Sequence, residues 1–185
     1  TDCSNTADIS ANGQYIGGVA GYVTGNIDGA VNEGAVSGAE RCGGIAGHLE
    51  GNISETNNYG DVQGEDYTGG LVGHYRQALE AEVCTNSGEV NGNHYTGGLF
   101  GGGETASIIH SAIIIACDNF GSVTGKDYTG SVIGYASAGT VSGVENNVTV
   151  TGRAYLGGIA GFFGGTLTDC TNSGEVVSVE SVSEG

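Results

Sequence analysis

The sequence predicts an all-β fold: a parallel, right-handed β-helix, or β-solenoid, with three short strands in each coil of about 27 residues. Three observations predict it. A glycine-rich block recurs along the chain. An asparagine block alternates with it. The residues between the glycines and asparagines are branched aliphatics, Thr and Tyr, which favour strands bounded by turns.

The glycine block reads Tyr15-Ile16-Gly17-Gly18-Val19-Ala20-Gly21 in its first copy and Tyr67-Thr68-Gly69-Gly70-Leu71-Val72-Gly73 in its third. Its first glycines stand at 17, 43, 69, 97, 130 and 157, giving spacings of 26, 26, 28, 33 and 27. The asparagine block has the form Asn-x-Gly-x-Val-x-Gly. It runs from Asn32 to Gly38, Asn58 to Gly64, Asn86 to Gly92 and Asn119 to Gly125, with looser copies beginning at Asn5, Asn146 and Asn172. A third element precedes each asparagine. Ile27, Ile53, Ile114, Val141 and Leu167 share one position, with Ala81 as the exception. Three residues further on is a small slot holding Ala30, Thr56, Cys84, Cys117, Val144 and Cys170, and Cys3 in the first block.

A unit of this length cannot bury a core alone, so successive units must stack. At ~4.8 Å per rung, seven partial rungs span roughly 30 Å. Stacking places Val19, Ile45, Leu71, Leu99, Val132 and Ile159 in one inward ladder. It places Ile9, Val36, Val62, Val90, Val123, Val150 and Val176 in another. The paired glycines are expected at tight corners or at φ > 0. The asparagines are expected at bends, where Asn tolerates the left-handed region. Residues 77–83 have a local helical look and read as a loop. The long spacing after Gly101 marks an insertion, near 102–111, in an otherwise single solenoid covering 1–185. Insertions in solenoids map to loops on one face, often the binding face.

Composition bounds the function. Glycine supplies 38 of 185 residues, but proline and a Gly-X-Y period are absent, which excludes collagen. With 38% hydrophobic residues, a packed core is possible. A formal charge of −17 disfavours nucleic acid and anionic lipid as partners. The longest apolar run, Ile113 to Cys117, is strand-sized and far below the ~18 residues of a membrane span, so no membrane insertion is expected. Thr1 reads as an internal start, so targeting information is expected to lie outside this stretch. Five cysteines, an odd number without Cys-x-x-Cys spacing, fit neither a disulfide framework nor a zinc site.

The pattern Tyr-x-Gly-Gly-Leu-Val-Gly, an aliphatic residue, then Cys-x-Asn-x-Gly-x-Val-x-Gly resembles the GLUG motif over nearly the whole chain. Tyr67 to Gly92 and Tyr155 to Val176 carry it most fully, while Arg41-Cys42 and Asn146-Asn147-Val148 depart from it. The resemblance implies a large secreted or wall-attached bacterial protein. Such proteins include adhesins and relatives of IgA-cleaving metallopeptidases, in which the repeats lie outside the catalytic part. The motif itself contains no catalytic residues.

No catalytic, cofactor-binding or metal-binding residue is therefore assigned from sequence. Cys3, Cys84, Cys117 and Cys170 share a slot and are expected to be free core thiols. Of these only Cys84 and Cys117 lie in neighbouring rungs, within reach of a disulfide. Cys42 lies elsewhere and is expected to be the most exposed thiol. His48 and His74 share a slot with Tyr22, Tyr135 and Phe162. A ring stack is the first reading and a transition-metal pair the second. His94 and His110 lack partners by spacing. Asp8, Asp61, Glu89 and Glu175 are expected to face outward, with calcium as a weak possibility. Tyr15, Tyr67, Tyr95, Tyr128 and Tyr155 form a column with Arg41, read as ring stacking with a cation–π contact or as a glycan-binding strip. Thr68, Thr96 and Thr129 align, as an ice-binding face would require, though in too short an array.

The expected function is a non-catalytic structural and adhesive segment of a larger secreted or cell-surface bacterial protein. Its partners would be a host or matrix protein or a glycan, with end-to-end self-association through exposed rungs. The alternative is an accessory repeat region of a secreted metallopeptidase or glycan-active enzyme.

Overall fold

The computed structural model describes residues 3–76, 78–103 and 111–179. They form an all-β, parallel β-solenoid of coils averaging about 27 residues, with no helix among the described residues. Like strands of successive coils pair in parallel throughout, as Ile53 does with Ile27 on one side and Ala81 on the other.

Each coil contains five short strands, not three. Glycines fold two of the three predicted pieces in half. In the third coil the glycine block splits into Asp66–Gly69 and Val72–Tyr75. The asparagine block of the preceding coil splits into Asn57–Asn58 and Val62–Gln63, while the aliphatic piece Ile53–Ser54 stays single. Five sheets result, named here for their recurring residues. In chain order they are the tyrosine sheet (from Gln14–Gly17), the ring sheet (from Ala20–Val23), the aliphatic sheet (from Ile27–Asp28), the asparagine sheet and the valine sheet. The asparagine and valine sheets have seven strands, and the others six.

The segment read as a loop supplies a strand, Leu79–Glu82, whose Leu79 and Ala81 point inward and Glu80 and Glu82 outward. Ala81 is small where other coils have Ile or Val. Leu79, buried opposite Ala112, fills the space beside it. The period-two burial there overrides the helix propensity of Ala, Leu and Glu.

One large core and two narrow ones lie along the axis. The large one contains Ile45, Leu71, Leu99 and Val132 with Ile53, Ile114, Val72 and Phe100. The valine ladder lies outside it. Val36 and Val62 pack with Cys42, and Val90, Val123 and Val150 pack with Leu156, in narrow cores between the valine and tyrosine sheets.

The glycine pairs are required by close approach and not by positive φ. A Cβ on Gly43 or Gly69 would overlap the carbonyl oxygen of Ala46 or Val72. A Cβ on the second glycine of the pair, Gly44 or Gly70, would overlap the side chain of Asn58 or Asn86. The asparagines are not left-handed bend residues either. Asn32, Asn58, Asn86, Asn119 and Asn146 are buried, their amides aimed into the solenoid. Each Nδ2 donates to the carbonyl two residues on, as Asn58 does to Gly60 (2.7 Å). It also donates to Oδ1 of the next coil's asparagine in the pairs Asn32–Asn58, Asn58–Asn86 (2.7 Å each) and Asn86–Asn119 (2.8 Å). Where serine replaces the second glycine, Asn119 Nδ2 donates to Ser131 Oγ (3.3 Å).

Apart from Gly139 (φ 124°), positive φ falls on two other columns. Tyr15, Arg41, Tyr67, Tyr95, Tyr128 and Tyr155 have φ between 49° and 61°. Gly29, Glu55, Val83, Ala116, Gly143 and Asp169, each just before the small slot, have φ between 47° and 66°. These are the corners that turn the chain.

Candidate functional site

Two outward features have chemical character: a double column of rings and an acidic groove. The left-handed tyrosines throw their rings onto the outside of the tyrosine sheet, where they stack coil on coil. Tyr67–Tyr95, Tyr95–Tyr128 and Tyr128–Tyr155 have centroids 4.6, 4.9 and 4.4 Å apart. Arg41 extends the column by lying between rings, 5.1 Å from Tyr15 and 5.7 Å from Tyr67. A second column from the ring sheet runs beside it. Tyr22 stacks on His48 (4.3 Å), His48 on His74 (4.8 Å), and Tyr135 on Phe162 (5.0 Å). The columns meet edge to face, as Tyr67 does with His74 (4.9 Å).

His48 and His74 thus form the ring stack expected, and both are buried. Their Nδ1 atoms are 2.8 Å apart, so one nitrogen donates and the other accepts. At this separation the two nitrogens share one proton. Burial lowers the pKa of His48, opposed by Glu50, whose Oε1 is 3.6 Å from Nε2. Glu50 also accepts from the Tyr22 hydroxyl (2.5 Å) and pairs with Arg76 (3.4 Å). The Tyr22 hydrogen bond is the main cause that holds the Glu50 carboxyl below its usual range. His94, without a partner by spacing, gains one from stacking: its Nδ1 lies 3.1 Å from Asp127, which Arg153 grips through two nitrogens. His110 lies outside the described residues.

The groove lies on the outer face of the aliphatic sheet and has a volume of about 480 Å³. Asn26, Asn52, Ser54, Glu80, Glu82, Ile113 and Ile115 line it. Registry places Glu80 beside Ile113 and Glu82 beside Ile115. Sequence reading missed this feature. Its signal was the alternation of Leu79, Glu80, Ala81 and Glu82. Of the predicted insertion, Gly102, Gly103 and Ser111 belong to strands, and residues 104–110 lie outside the described residues.

The remaining candidates are structural. Cys42 is a correction: it is fully buried against Val36 and Val62, and burial pushes its thiol up to about 12. Cys84 and Cys117 are buried free thiols, and Cys3 and Cys170 are free but less covered. Contact with Cys84, and then burial, raises the Cys117 thiol far above its usual range. Thr68, Thr96 and Thr129 are fully buried, which excludes them from any ice-binding face, and their hydroxyls have no hydrogen-bond partner among the described residues. Asp8, Asp61, Glu89 and Glu175 do face outward. Asp8 and Asp61 accept from the backbone N–H of Ala35 (2.9 Å) and Glu89 (2.8 Å) in the next coil. Among the described residues, no three His, Cys, Asp or Glu side chains gather as a metal-holding group. No described helix is long and apolar enough to cross a membrane.

The chain matches no protein family, no curated protein and no solved structure.

Proposed function

We propose that the chain is a non-catalytic structural and adhesive segment of a larger secreted or cell-surface bacterial protein. The observation that carries this reading is the repetition of outward columns in register along a rod. Equivalent side chains recur at every coil, which suits extended contact with a partner better than the single convergent cluster of a catalytic centre. The stacked tyrosines offer ring edges and hydroxyls at regular intervals, a chemistry suited to glycans and to protein surfaces. The strongly acidic outer surface keeps such a rod soluble and apart from nucleic acid and anionic lipid.

The test is binding of the purified chain to an array of glycans and extracellular-matrix proteins, with and without calcium. Saturable binding that weakens when Tyr95 and Tyr128 are replaced by Leu supports adhesion through the ring columns. No binding in either condition would remove the adhesive part of the proposal and leave a spacer.

A further inference from the structure

From the groove on the aliphatic sheet we infer a docking site for an extended peptide in which a basic and an aliphatic residue stand two positions apart, on one face of the chain. The inference rests on the adhesive reading and names the chemistry of one partner. Ile113 and Ile115 are 36% and 44% exposed, two β-branched side chains pointing outward from one strand. Beside them in the preceding coil stand the exposed carboxylates Glu80 and Glu82. The four make a rectangle one rung by two residues, roughly 4.8 by 6.7 Å.

The same face continues through Ser54 and Asn52 to Asn26, so the groove crosses four coils, roughly 15 Å along the axis. That length takes about four or five residues of extended chain. Asn52 Nδ2 donates to Glu80 Oε2 (3.1 Å), and Ser54 Oγ donates to Asp28 Oδ1 (2.8 Å), so the carboxylates are oriented by neighbouring coils. Among the described residues no Lys, Arg or His pairs with Asp28, Glu80 or Glu82. The described arginines are engaged elsewhere, with Glu40, Glu50 and Asp127.

Charge complementarity selects the occupant. Uncompensated carboxylates attract ammonium or guanidinium groups, and the adjoining isoleucines reward an aliphatic neighbour that leaves water. A second copy of this chain, at −17, is repelled by the same field. A purely cationic polysaccharide lacks the side chain that would cover Ile113 and Ile115. An extended peptide with Lys or Arg two residues from Val or Ile supplies both on the same face.

The experiment uses the whole chain and a short fluorescent peptide in which lysine and valine take turns at every second position, separated by serines, followed by anisotropy at low and high salt. Control peptides carry glutamate for lysine or serine for valine. The lysine–valine peptide is expected to bind saturably, and both controls at least about tenfold more weakly. Combined Glu80→Gln and Glu82→Gln should weaken binding about tenfold or more and flatten its salt dependence. Ile113→Ser should weaken it several-fold with the salt dependence kept. Glu33→Gln with Glu145→Gln makes the same charge change away from the groove and should leave binding unaltered. Equal loss in the Glu33 and Glu145 variant would overturn the site in favour of diffuse attraction, and absence of binding would overturn it outright. The same Glu80 and Glu82 variant on the matrix array separates the two proposals. Array binding retained while the peptide is not bound leaves adhesion standing without this groove. A blank array with groove-dependent peptide binding leaves the groove standing without adhesion.

Discussion

Asparagine 86 carries more of the fold than its surface-loop appearance in sequence implies. Its amide donates to the Gly88 carbonyl and Asn119 and accepts from Asn58, all inside the solenoid. Replacing it by Ala strands a buried carbonyl and two amides at once. Asn86→Ala is therefore expected to destabilise the chain by about 2–4 kcal/mol, read from urea unfolding. A change below about half a kcal/mol would mean the ladder is dispensable. Val83 is the converse case. Its φ of 53° places a β-branched residue in the left-handed region, with half its surface exposed and little packing in return. Val83→Asn should stabilise by about 0.5–1 kcal/mol, since Asn tolerates that conformation. A lower midpoint in the same urea titration would refute the strain. The lowered pKa of His48 gives a sign to acid sensitivity. The unfolded imidazole takes up its proton near 6.5, and the folded one only below that. Its contribution is complete above about pH 6.5 and is lost as pH falls through the folded value. His48→Gln should flatten the stability–pH curve below about pH 6.5. Glu50 and Asp127, also shifted down, act with the same sign at lower pH, near and below the ordinary carboxylate range. An unchanged curve in that variant would show that His48 is not the group titrating.

At the scale of the element, the narrow core between the valine and tyrosine sheets contains an uneconomical feature. Thr68, Thr96 and Thr129 pack there with buried hydroxyls that have no hydrogen-bond partner among the described residues. The neighbouring coils place Ile16, Cys42 and Leu156 at the same register, so the column accepts apolar side chains. Valine has the shape of threonine without the buried hydroxyl. Thr96→Val is therefore expected to raise stability by about 1 kcal/mol, and the triple replacement by more, measured by thermal and urea unfolding. Destabilisation would reveal a partner for the hydroxyls, such as a bound water.

At the scale of the whole molecule, charge and stacking dominate. A net charge of −17 on a rod repels itself along its length. Raising ionic strength from low to physiological values should raise the melting temperature, because the repulsion is screened within about 8–10 Å. A melting temperature that falls or stays flat would show that ion pairs such as Arg153–Asp127 outweigh the repulsion.

The sequence by itself determined the repeat, the parallel stacking and two inward ladders, that of Ile45 and Leu71 and that of Val36 and Val62. These follow from side chains recurring at one period, and a ladder can be read from any list of equivalent positions. It also gave the ring column, since like residues at one register must stack. Tertiary structure alone decided the direction of the asparagines, the burial of Cys42 and the threonines, and the partnership of His48 with His74 through Nδ1. Recurrence tells that a position is constrained, and not whether packing, hydrogen bonding or solvent constrains it. The groove was hidden for a related reason: Glu80, Glu82, Ile113 and Ile115 are unlike residues in successive coils, and their adjacency exists only once the coils are in register.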